Sequence, residues 1–175
     1  MSEHSMTQHS EDRVFETPYS RLLSQPTLSG AIHELETLLL SAYSQPSLEP
    51  MTGHWSNTQI LGHLIDSAVN NHARFVRAQI LEHLTYAYLI VPGYAQNDWV
   101  TVGHYDSRNW DELLTLWRAL NGQILHVMKT VNPASLFVPC IIGDREAKPL
   151  EALMIDYVGH TLHHLQSLGF GGQNT

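Results

Sequence analysis

Cysteine is almost absent from this chain: Cys140 stands alone among 175 residues. A lone cysteine excludes an intramolecular disulfide, so the fold must rest on packing. Positive charge is scarce too. Lys and Arg number 9 against 17 Asp and Glu, a net charge of −8 with histidine neutral. Binding a phosphate backbone requires a basic face, which excludes nucleic acid as the main partner. No apolar run approaches the roughly 20 residues that span a bilayer. The first 12 residues, Met1-Ser-Glu-His-Ser-Met-Thr-Gln-His-Ser-Glu-Asp12, lack the basic and apolar regions of a signal peptide. They read as part of a disordered tail over residues 1–18, followed by a single domain over 19–172. A cytoplasmic location is the expectation.

Histidine, by contrast, is plentiful, at 12 residues. Most histidines in a protein are solvated or hold a single hydrogen bond, so position must select among them. His4 and His9 fall in the tail.

Four segments carry helical periodicity. The first runs from about Leu28 to Tyr43, with Ile32, Leu35, Leu39 and Tyr43 on one side, and Pro46 lies beyond its end. The second starts at Ser56, with Gln59 three residues on as a capping box, and extends to about His83. Ile60, Leu61, Leu64, Ile65, Ala68, Val69 and Val76 form its apolar face. The third runs from Asn109 or Trp110 to Val131, with Asp111 and Glu112 where the helix dipole favours acids. The fourth starts near Pro149 and ends at Leu168 before Gly169. Residues 84–109 form a crossover too long for a tight turn. Its Tyr86, Tyr88, Tyr94, Trp99 and Tyr105 predict that it packs over the helices. Residues 134–148 predict a short hairpin turning at Gly143-Asp144. The expectation is an all-α four-helix bundle with a long crossover between its second and third helices and a hairpin before the fourth.

Two histidines four apart on a helix project from one face and can reach one metal ion. His160 and His164 have that spacing. On a helical wheel they fall at the edge of the buried arc, between the directions of Leu153 and Tyr157. His163 points away. A third ligand should come from another helix. On the second helix His63, Ser67, Asn70 and Arg74 share a stripe, with Asp66 beside it. The stripe lies opposite the apolar face, so it fits either a solvated surface or the lining of a cavity. His33 and His126 lie opposite their apolar faces, and His72 falls inside one. His54 precedes the second helix, and His104 lies in the crossover.

Three blocks resemble the DinB/YfiT-like metalloenzyme family. Trp55-Ser-Asn-Thr-Gln-Ile-Leu-Gly-His-Leu-Ile-Asp-Ser67 is similar to that family's block at the start of the second helix. Tyr94-Ala-Gln-Asn-Asp-Trp-Val100, with Tyr105 after it, is similar to its crossover motif, although Ala95 replaces an acidic residue common there. His160-Thr-Leu-His-His164 is similar to its last histidine block. The resemblance covers about residues 28–170. It implies an up-down-down-up bundle and a divalent ion, zinc or nickel, held by His63, His160 and His164. It also implies homodimers in many members.

Three neutral imidazoles leave an ion its full charge and an open position, the pattern of a catalytic site. Water there ionises near neutral pH, and a thiolate there is equally well activated. The expectation is therefore a metal-dependent enzyme, either a hydrolase or an S-transferase using a low-molecular-weight thiol. Asp66 or Asp156 would orient a ligand imidazole. Asn70 and Arg74 would hold an anionic group of a small substrate. Cys140, beside Ile141 and Ile142, reads as apolar filler. A bundle that binds metal without catalysis, serving as a binding or dimerisation module, is the rival reading. Heme or di-iron binding in the bundle is disfavoured, because no two helices carry Glu-x-x-His.

Overall fold

A computed structural model describes residues 18–24, 26–41, 43, 54–81 and 88–170. The 1–17 part of the expected tail and residues 82–87 lie outside the described residues, as does most of the first inter-helix connection.

Four long helices carry the core, and local chemistry fixes their starts. Helix α1, Pro18–Ser24, is a short addition that the periodicity did not reveal. Its Leu22 is buried, and its Arg21 pairs with Glu34 at 3.3 Å. Helix α2 is Leu28–Leu40, capped by the Thr27 hydroxyl, which accepts from Gly30 N at 3.0 Å. Helix α3 is Asn57–Leu81. The capping box at its start is reciprocal: Ser56 N donates to Gln59 Oε1 at 2.8 Å, and Gln59 N donates to Ser56 Oγ at 3.3 Å. The short helix α4 is Gln96–Gly103. Helix α5 is Trp110–Lys129, with Asn109 Oδ1 accepting from the amides of Asp111 and Glu112. Helix α6 is Leu150–Ser167, ended at Gly169, whose φ of 82° suits glycine.

In the bundle, α2 packs on α5 and α6, and α3 packs on the same two. Sequence-consecutive helices α2 and α3 therefore face each other across a diagonal. Two neighbouring pairs run antiparallel. Lys129 reaches Glu36 while Arg118 reaches the Ser41 carbonyl, which opposes α2 to α5. Phe75 meets Tyr157 while His63 meets His164, which opposes α3 to α6. Trp117, Phe75, Leu35 and Leu113 are fully buried where these helices meet.

The all-α expectation needs correcting. A three-stranded sheet, ordered β1-β2-β3, lies beside the bundle. Strand β1 is Leu89–Val91, β2 is Pro139–Ile142 and β3 is Lys148–Pro149. The β2–β3 hairpin is the expected one, turning at Gly143 with φ 60°. The β1 strand comes from the crossover and pairs parallel with β2, Leu89 opposite Cys140 and Val91 opposite Ile142. A parallel pair needs a long connection, so no local turn signal announces it. Together, crossover and hairpin form a roof along one side of α3 and α6.

Candidate metal centre

The antiparallel pairing of α3 and α6 brings the first half of one helix against the last half of the other. His63 sits two turns into α3, and His160 and His164 occupy the last turns of α6. Their ring centroids lie 5.1 Å (63 to 160), 4.9 Å (63 to 164) and 4.6 Å (160 to 164) apart. One nitrogen of each ring lies within 4.8 Å of the others. His63 Nε2 and His160 Nε2 are 3.1 Å apart. His63 is fully buried, with the Trp55 ring 4.9 Å from its own. His163 is exposed, as the wheel indicated.

Burial sets the charge of this cluster. It holds all three imidazoles down to about 4, from an ordinary 6.5. Neighbouring imidazoles add to the effect: His164 on His63, His63 and His163 on His160, His160 and His163 on His164. All three rings are therefore neutral at pH 7, each offering a lone pair. Nitrogens around a tetrahedral zinc lie about 3.4 Å apart. The His63–His160 pair at 3.1 Å is near that spacing, all three rings lie within 4.8 Å, and imidazole donors suit a divalent transition metal. The residues fit one divalent ion. The far nitrogen of His63, Nδ1, is buried with no partner among the described residues.

The crossover is clamped onto α3 beside this centre. The Tyr105 hydroxyl donates to Asp66 Oδ1 at 2.5 Å. The Tyr105 ring lies against Gly62, where an added Cβ would sit 2.1 Å from ring carbons. Glycine is required there for the approach. His104 adopts a left-handed φ of 49°, which turns the chain from α4 into the 3-10 turn Tyr105–Ser107. Burial raises the Asp66 carboxyl above its usual range, partly offset by the Tyr105 bond. Burial also raises the Tyr105 hydroxyl, and its bond to Asp66 adds to this.

From His160 a cavity of about 600 Å³ runs between α3 and α6 under the roof. Ser67, Asn71 and Arg74 line it from α3, and Leu153, Asp156 and Tyr157 from α6. Tyr94 and the Gly143–Arg145 turn close it from above. Burial raises the Tyr94 hydroxyl, which Asp66 reinforces and a hydrogen bond with Ser67 opposes. The Tyr157 hydroxyl donates to Asn121 Oδ1 at 2.5 Å.

Ser67 and Arg74 of the polar stripe on α3 thus line a cavity, while Val69, placed on the apolar face, is 45% exposed. Asp66 is buried, but its partner is Tyr105 and not an imidazole. Asp156 is exposed and pairs with Lys148 at 2.6 Å. Neither carboxylate hydrogen-bonds a ring of the cluster among the described residues, and Oδ2 of Asp66 is buried without a partner among them. The Asn70 amide donates to the Asp66 carbonyl at 2.9 Å and does not line the cavity. Asn71 lines it instead. Arg74 lines it and is buried. Asn71, Tyr157 and Arg145 were not foreseen. Tyr157 was visible only as a core position, and nothing in Gly143-Asp-Arg145 tells which way the turn faces.

YfiT from Bacillus subtilis, described as a probable metal-dependent hydrolase with an unusual four-helix bundle topology, superposes with a TM-score of 0.59. The match covers 97% of this chain and 91% of YfiT at 18% identity, which establishes the shared fold. No curated protein sequence matches significantly. The profile of the DinB superfamily matches residues 27–168, a span that holds all three histidines and the crossover clamped above them, and the chain belongs to that superfamily.

Proposed function

We propose that this chain is a metal-dependent enzyme in which His63, His160 and His164 hold one divalent ion, zinc or nickel. The observation that carries this reading is the convergence of three neutral imidazoles at the end of a substrate-sized cavity. The ion, when bound, supplies Lewis acidity suited to hydrolysis or to reaction of a low-molecular-weight thiol. The residues do the rest. The Trp55 ring packs against His63 on one side of the cluster, and His160 faces the cavity on the other. The Tyr105–Asp66 bond fixes the crossover, and Tyr94 closes the roof next to Ser67.

Thiol transfer and hydrolysis differ in their need for a base. Asp156 is engaged by Lys148 and Oδ1 of Asp66 by Tyr105, which leaves the buried Oδ2 of Asp66 without a partner among the described residues. A thiol substrate brings its own ionisable nucleophile and needs no such base. The protein's own thiol does not serve, since burial pushes Cys140 up to about 11. The test is turnover by the metal-loaded chain of electrophiles with thiols, beside simple esters and amides, against His160→Ala. Thiol-dependent turnover lost in His160→Ala is expected. Ester or amide turnover alone would move the assignment to hydrolase. No turnover of either kind by the fully loaded chain would move it to a non-catalytic metal-binding bundle.

A further inference from the structure

The cavity that opens at His160 is lined, further along α3, by a buried cation. Arg74 is 8% exposed. Its partner is neutral: Nη1 donates to Asn71 Oδ1 at 3.3 Å. No carboxylate pairs with Arg74 among the described residues. Burial holds its guanidinium below the ordinary range, Tyr94 opposes that, and the neighbouring charge of Arg145 adds to it. A buried guanidinium beside a second one is costly unless an anion joins them. Planar guanidinium groups take carboxylates through paired hydrogen bonds.

The structure assigns to Arg74 and Arg145 a subsite for a carboxylate group of the small substrate, which deepens and rests on the metal-enzyme reading above. Both arginines line the cavity that reaches His160. Its lining carries two arginines and two carboxylates, Asp144 and Asp156, the latter paired with Lys148. That balance suits a monoanion better than a phosphate dianion. Length follows from the helix. Arg74 is 11 residues beyond His63, an axial rise of about 16 Å. Side chains on a helix lean toward its N-terminus, so the guanidinium recovers part of that distance. A substrate with its carboxylate at Arg74 and its reacting group at the histidines is therefore on the order of 10 Å long.

The test is calorimetric titration of the full, zinc-loaded chain with hexanoate, hexanamide and inorganic phosphate, with zinc content measured on every sample. Wild type should bind hexanoate about tenfold or more tighter than hexanamide. Arg74→Gln should lose that preference and keep its zinc. Arg145→Ala changes an exposed turn residue, so it should keep the fold and lose about threefold in hexanoate affinity. His160→Ala should lose zinc but keep the preference for hexanoate. Unchanged hexanoate affinity in Arg145→Ala and in folded Arg74→Gln would overturn the subsite. So would loss of the preference in His160→Ala, which would put the anion on the metal, or phosphate binding tighter than hexanoate. A preference that needs Arg74 in a wild type carrying no zinc would leave the subsite standing and sink the metal-enzyme reading instead.

Discussion

Two buried polar clusters share the groove between α3 and α6, and they meet burial in opposite ways. The three histidines give up charge: held down to about 4, they become neutral donors that a cation can join. Arg74 cannot do so at any physiological pH, so it remains a cation that an anion can join. The difference teaches that burial alone does not define a site. Each side chain's intrinsic acidity decides which ligand the buried group requires. In the proposed reading one end of the groove receives a metal and the other a carboxylate.

The comparison breaks most visibly at the metal end. His63→Ala should weaken zinc binding by more than about 100-fold in competition with a chelator, since even residues beyond the ligands change affinity 10–100-fold. Arg74→Gln should stay within about twofold in the same assay, because distant sites act independently. Equal losses in both variants would mean that the two clusters are one unit.

The same histidines set a pH dependence of the metal-free chain. Their folded values near 4 lie below the ordinary 6.5, so the folded state binds fewer protons in between. Stability present above pH 6.5 should fall as pH falls toward 4. Replacing all three by Gln should flatten that slope in denaturant titrations. An unchanged slope would show that the rings are not buried neutral.

Gly62→Ala comes next. Its methyl would sit 2.1 Å from the Tyr105 ring, so overpacking should destabilise the fold by about 1–3 kcal/mol. An unchanged denaturation midpoint would show that the crossover is not clamped to α3.

What the sequence disclosed follows the same division between local and distant. The spacing of His160 and His164 and the capping box of Ser56 and Gln59 are contained in a few consecutive residues, and both were legible. The polar stripe of Ser67 and Arg74 was visible but ambiguous, because a helical wheel cannot distinguish a cavity from bulk water. Only the packing of α6 and the roof decides that. From Leu61 to Ala68 every residue of α3 is buried, which no one-sided apolar pattern conveys. The pairing of Leu89 with Cys140 joins segments about fifty residues apart and left no local trace. Asp66 was read as a partner for histidine because they are neighbours in sequence. Its partner came from the distant crossover, Tyr105, held in place by a left-handed His104.

The smallest effect is expected at that clamp. Tyr105→Phe removes one hydrogen bond to a buried carboxylate and should destabilise the chain by about 1–2 kcal/mol. Zinc stoichiometry should be unchanged. Loss of zinc in this variant would give Asp66 and Tyr105 a direct part in holding the metal.

The central claim is that three neutral imidazoles from α3 and α6 form one metal centre. Its most direct test is elemental analysis of the wild-type chain purified with divalent ions present, beside His160→Ala. The account predicts one zinc or nickel per chain in the wild type and almost none in the variant. A folded wild type without stoichiometric metal, or a His160→Ala variant that keeps it, would contradict the account.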